Sequence, residues 1–116
     1  MHFKSTYTQG IFAEFWARMH LRMHGYRIVR SRYITGRNTH RAEIDIIARK
    51  RNLLVFIEVK SRPTVACGFD AITTHQAARL RRAAETFISQ IGWRGDARFD
   101  VIVVCGWRVH WIKNAI

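Results

Sequence analysis

The chain has 116 residues and carries 20 Lys and Arg against 8 Asp and Glu, a formal net charge of +12. That length suits one domain, spanning 1–116, with a core of its own, and 48% hydrophobic residues with a single proline exclude a disordered chain. No apolar run reaches the ~18–20 residues of a membrane span, Met1-His2-Phe3-Lys4 opens no signal-peptide apolar region, and Cys67 and Cys105 form neither a disulfide framework nor a CxxC pair, so a cytoplasmic protein with two free thiols is expected.

Gln9 to His24 reads as a helix. Ile11, Phe15 and Met19 recur at i, i+4, with Phe12 and Trp16 one step on. Gly25 is its stop signal. Tyr26 to Tyr33 alternates Arg27, Arg30 and Arg32 with Tyr26, Ile28 and Val29, the pattern of a strand. Gly36-Arg37-Asn38-Thr39 is a loop. Glu43 to Arg49 and Leu53 to Lys60 read as two further strands, joined by Lys50-Arg51-Asn52 as a hairpin. Ser61 to Ile72, with Pro63 and Gly68, is expected to be a loop. Thr73 to Gln76 resembles a capping box. Ala77, Leu80, Ala84, Phe87, Ile88 and Ile91 then form the apolar stripe of a second helix, with His75, Arg79 and Arg82 on its other side. Gly92 to Asp96 is a turn. Phe99 to Cys105 is an apolar strand expected at the sheet centre, and Trp107 to Ile112 alternates as a last strand. The order is α-β-β-β-α-β-β, an α/β domain with a mixed sheet of about five strands flanked by helices.

Sixteen of the 20 basic residues are Arg. The guanidinium fork matches phosphate oxygens, and nucleic acid is the commonest cytoplasmic polyanion, so a nucleic-acid partner is expected. The acids are placed against that expectation. Glu43-Ile44-Asp45 and Glu58-Val59-Lys60 both lie in apolar, strand-like runs, where a carboxylate is costly to bury unless paired or bound to metal. Residues i and i+2 of a strand share a face. Glu43 and Asp45 would therefore share one, with Ile44 and Ile46 on the other. Glu58 and Lys60 would share one, with Val55, Ile57 and Val59 opposite. In a hairpin Asp45, Glu58 and Lys60 then converge. A cross-strand ion pair would account for a lone Glu-x-Lys. Asp45-x12-Glu58-x-Lys60 in a +12 chain fits a divalent cation better. Oxygen donors suit Mg2+, or Mn2+ in its place, and Lys60 could position a water or neutralise charge developing on phosphorus.

Glu43-Ile-Asp45-Ile-Ile-Ala and Val55-Phe-Ile-Glu58-Val-Lys60-Ser-Arg62 resemble the signature of the YraN-like family of small bacterial proteins. Gly10 with Ala13-Glu14, His24-Gly25-Tyr26-Arg27-Ile28, Gln76 with Arg79 and Arg81-Arg82, and Arg98-Phe99-Asp100-Val101 resemble its other motifs. That family is placed in the restriction-endonuclease-like PD-(D/E)XK superfamily, whose functional relatives include archaeal Holliday-junction resolvases. The resemblance implies a restriction-endonuclease-like fold and metal-dependent DNA hydrolysis, possible at branched structures. It implies Asp45 and Glu58 as metal ligands, Lys60 as the catalytic lysine, Glu14 as a helix carboxylate reaching toward the metal, Gln76 as a polar site residue and Glu43 as an auxiliary acid. Ala42 stands where the family has Gly, and His75 where a basic residue is usual.

Other readings compete at several positions. Glu14 could pair with Arg18 at i, i+4. Gln76 has a task in the capping box. Asp100 fits an edge ion pair with Arg98. His20 and His24 are spaced for zinc but lack a further ligand. Trp93, Trp107 and Trp111 fit core or sheet-face positions, with base stacking as the alternative. Arg37, Arg41, Arg62, Arg79 and Arg82 would flank the acids and hold phosphates. A homodimer joined through exposed aromatics of Trp107–Trp111 would match the symmetric cutting of junction-cleaving relatives. Two rival functions stand beside the nuclease: a nucleic-acid-binding module without turnover, and an adaptor whose basic surface meets an acidic protein.

Overall fold

A computed structural model of the chain describes residues 6–36 and 41–116. Its elements are α1 (Thr6–Met23), β1 (Arg27–Thr35), β2 (Ala42–Lys50), β3 (Leu53–Ser61), α2 (Val65–Asp70), α3 (Thr74–Ile91), β4 (Asp96–Cys105) and β5 (Arg108–Ile112). This is the expected order with one helix added. The segment 61–72, read as a loop, contains α2, because Thr64 accepts the Cys67 N–H and caps a short turn. Gly68 lets that turn lie against Val103 of β4, where a Cβ would collide with the valine methyls.

The five strands form one open sheet in the order β1-β2-β3-β4-β5. β3 and β4 are parallel, and the other neighbours are antiparallel. A parallel pair needs a crossover connection, which α2 and α3 supply. β3 is the middle strand. β4, expected there, lies one place off centre between β3 and β5.

One face of the sheet buries Ile46, Ala48, Val55, Ile57, Val59, Ile102 and Val104 under Ala13, Ala17 and Leu21 of α1. The other buries Ala42, Ile44, Ile47, Leu54 and Phe56 under Leu80, Ala83, Ala84 and Phe87 of α3. The helical period of α1 is as expected, but its buried stripe is not the larger apolar one. Ile11 and Phe15 are 43% and 47% exposed, while Ala13, Ala17 and Leu21 are buried. Small side chains at i and i+4 let the helix axis approach the sheet closely, and the Ile11–Phe15 stripe is left outward. On α3 the predicted stripe is the buried one, apart from Ile91 at the helix end, which is 46% exposed.

The expected cap of α3 is half realised. Thr73 Oγ1 accepts the Gln76 N–H at 3.0 Å, and Gly92 closes the helix with φ 65. Both cysteines are free. Among the described residues no helix is long and apolar enough to cross a membrane.

Asp100 is fully buried. Both its oxygens take Arg98, through Nε and Nη2 at 2.8 Å each, and they also accept Trp111 Nε1 and the Asn114 N–H, each at 2.8 Å. The expected Arg98–Asp100 pair forms inside the sheet rather than at an edge, and it ties β5 and the C-terminal residues to β4. Trp111 is thereby turned inward, its ring 5.2 Å from that of Tyr26. Of the two aromatics expected at an exposed β5, only Trp107 is exposed, at 74%.

Candidate acidic cleft

The β2–β3 ladder runs from Lys50↔Leu53 to Ile46↔Ile57. One step further the strands part, with Asp45 and Glu58 facing each other. There Asp45 Oδ2 takes the place of a backbone acceptor and receives the Val59 N–H at 2.8 Å. The strict alternation expected of β2 breaks at this point. Ile46 packs under α1, but Ile44 packs under α3. On β3 the alternation holds. Val55, Ile57 and Val59 all pack under α1, which sends Glu58 and Lys60 to the α3 side.

Glu58 Oε2 accepts Gln76 Nε2 at 2.8 Å and lies 3.3 Å from Lys60 Nζ. Asp45 and Glu58 are only 9% and 5% exposed. They form the floor of a cleft of about 310 Å³, which Arg41, Ala42, Glu43, Gln76, Arg79 and Leu80 also line. Burial, then the neighbouring Glu58 carboxylate, pushes the Asp45 carboxyl up to about 8, against the Val59 N–H, which favours the charged form. Burial likewise raises Glu58, with Lys60 opposing it. Two buried carboxyls facing each other resist full ionisation without a cation.

The remaining sequence candidates divide. Arg41 and Arg79 line the cleft. Arg79 is fixed there by donating to the Arg41 carbonyl, through Nε at 3.0 Å and through Nη2. Glu43 lines it too, in an ion pair with Arg41 at 3.5 Å. Gln76 is in the cleft by its side chain. Its backbone serves the helix cap, so the two expected tasks coexist. Glu14 does not pair with Arg18. Its Oε1 is 3.0 Å from Arg32 Nε, and its charge still acts on Asp45. Arg82 is exposed and lines no part of the cleft. Arg62 borders a different hollow, with Phe12, Pro63 and Trp107. Arg37 lies outside the described residues. The rings of His20 and His24 lie 4.5 Å apart between centroids, tilted by 38°, beside Trp111. Among the described residues no three His, Cys, Asp or Glu side chains are grouped to hold one ion. The acidic centre is the Asp45–Glu58 pair, with Glu14 and Glu43 further out, each held by an arginine.

Arg32 was not singled out as a site residue from sequence. It falls between the Ser31↔Ile46 and Tyr33↔Ile44 pairs, across from Asp45. The charges of Glu14, Glu43 and Asp45 all act on its guanidinium and raise its affinity for its proton, Glu14 most strongly. Nothing in the alternating Arg pattern of β1 distinguishes it, because the cue is the strand register.

The family model described as "Uncharacterised protein family UPF0102" matches residues 13–104, a span that includes α3, β4 up to its last residue and every described cleft residue. A UPF0102 protein of Agrobacterium fabrum is 41% identical over 101 residues, 83% of this chain and 77% of the relative. One from Paramagnetospirillum magneticum is 35% identical over 103 residues, 87% and 80%. One from Bartonella bacilliformis is 35% identical over 117 aligned residues, 96% and 90%. With a family match over most of its length and relatives of this similarity, the chain belongs to the UPF0102 family.

Proposed function

We propose that this protein is a metal-dependent nuclease of the restriction-endonuclease-like PD-(D/E)XK type, acting on DNA phosphodiester bonds and favouring branched or otherwise unusual structures. The observation that carries the reading is the buried pair Asp45–Glu58 at the point where β2 and β3 part, with Lys60 against Glu58.

The donor set fits Mg2+ or Mn2+. Both central groups are carboxylates, no His or Cys among the described residues lines the cleft, and Mg2+ is held by one or two carboxylates with waters and substrate phosphates completing its shell. Asp45 and Glu58 would hold the ion, with Glu14 and Glu43 as the acids around them. A bound divalent cation supplies Lewis-acid stabilisation of a phosphoryl oxygen and lowers the pKa of a bound water. Lys60 sets a positive charge beside Glu58, where negative charge develops on the phosphoryl group. Gln76 fixes the Glu58 carboxylate by its amide and so sets the ligand's direction. Arg41 and Arg79 stand on the wall of the cleft and would draw the backbone phosphates over it. Net charge of +12 favours encounter with a polyanion.

The test is cleavage of linear, nicked and four-way DNA with Mg2+ or Mn2+, comparing wild type with Asp45→Ala. Metal-dependent cleavage lost in the variant supports the reading. Equal traces of activity in both proteins would sink it, and metal-independent binding without cleavage would leave the non-catalytic module.

A further inference from the structure

Arg32 has φ 53 inside a β-strand. A left-handed backbone costs a residue with a Cβ roughly 1–2 kcal/mol, and only Gly, Asn and Asp adopt it readily. Arg has no such exemption, so its presence points to a task for its side chain. The φ value turns Arg32 out of the regular β1–β2 pairing, at the position across from Asp45.

The guanidinium is only partly used. Nε is bound to Glu14 Oε1 at 3.0 Å, and the side chain is 46% exposed while that of Glu14 is 12% exposed. Nη1 and Nη2 have no hydrogen-bond partner among the described residues. Glu14 therefore holds the stem of the fork, and two adjacent donors are left on β1 at the register position across from Asp45, just outside the lining of the cleft. Two parallel donors match two oxygens of a phosphodiester, a geometry Lys cannot reproduce.

We propose that Arg32 is a phosphate-binding residue at the rim of the cleft, gripping a nucleic-acid backbone phosphate on the β1 side of Asp45 while its Nε holds Glu14 in place. The assignment rests on the cleft being a nucleic-acid site and does not depend on turnover.

The test is binding of a labelled four-way DNA junction by full-length protein in Ca2+ without cleavage, with Arg32→Asn and Arg32→Lys. Asn tolerates the left-handed backbone but leaves the nearly buried Glu14 without its partner, so Arg32→Asn is expected to stay folded with a modestly lower melting temperature. Its DNA affinity is expected to fall about tenfold, the loss of a charged hydrogen bond. The slope of log K against log salt should shrink by about 0.9, one phosphate contact. Arg32→Lys should keep the slope but recover only part of the affinity. A merely structural Arg32 would change the melting temperature and leave affinity and slope at wild-type values, which overturns the assignment. If wild type binds no DNA, the cleft reading and this one fail together. If wild type binds and Arg32→Asn binds equally, only the Arg32 assignment fails.

Discussion

The Gln76 side chain donates to Glu58 Oε2 at 2.8 Å, while its own backbone N–H is held by Thr73 Oγ1 at 3.0 Å. One residue at the first turn of α3 thus closes a helix and orients a buried carboxylate. Because the cap uses only backbone from Gln76, the two tasks separate on mutation. Gln76→Ala is expected to leave the cap intact and cost about 1–3 kcal/mol, the loss of one hydrogen bond to the buried Glu58 carboxylate. It should weaken Mn2+ binding by about 10-fold or more, the usual effect of losing a group that orients a ligand. Calorimetric titration with Mn2+ beside a urea melt would show both. Equal metal affinity in wild type and variant would remove Gln76 from the site.

The Asp45 carboxyl, pushed up to about 8 by burial and by Glu58, gives a pH signature. Its folded value is above the unfolded one, so the group favours folding when protonated. That contribution is whole below about pH 4 and is lost as pH rises toward 8. In metal-free protein, Asp45→Asn keeps an acceptor for the Val59 N–H and cannot ionise. Its melting temperature should gain on wild type as pH rises from 5 to 8, and the gap should vanish near pH 4. Divalent metal should reverse the order at pH 8 by stabilising wild type alone. Metal binding should also release protons and tighten with pH up to about 8. Thermal melts across pH, with and without Mg2+, test each sign.

Arg79 and Arg82 lie one helical turn apart, yet only Arg79 lines the cleft. Arg79→Ala is expected to weaken DNA binding and reduce the salt slope by about one contact's worth, ~0.9. Arg82→Ala should do less than half of this. Fluorescence anisotropy between 50 and 200 mM salt, a range over which phosphate contacts are read, distinguishes the two. Equal losses would mean that the strand crosses the whole outer face of α3.

Asp100 is the buried acid that serves the fold. Asp100→Ala leaves Arg98 without its partner and frees Trp111 Nε1 and the Asn114 N–H. The expected cost is about 3–5 kcal/mol, that of breaking a buried pair on one side. Asp100→Asn should cost less, because it keeps acceptors for Trp111 and Asn114. Chemical denaturation measures both, and a loss below ~1 kcal/mol for Asp100→Ala would deny the anchor role.

Much of the molecule was legible in the chain because its signals are local. The period of two in β3 placed Glu58 and Lys60 together and Val55, Ile57 and Val59 opposite, since the pleat alone dictates that alternation. The turn at Lys50-Arg51-Asn52 set the hairpin that brings Asp45 to Glu58. Thr73 and Gly92 announced the ends of α3 through the backbone groups a helix leaves unpaired. Other features were decided only when distant segments met. α1 has two apolar stripes, and the sheet selected Ala13, Ala17 and Leu21 because a smaller stripe permits closer packing. The break in β2 between Ile44 and Ile46 arises where one strand leaves its neighbour, and no local pattern marks such a place. Arg62 and Arg82 looked equivalent to Arg41 and Arg79, since charge has no direction in a sequence. Arg32 was one arginine among several in β1. Its relation to Asp45 and Glu14 comes from strand register and from α1 crossing the sheet, which are properties of the assembled chain.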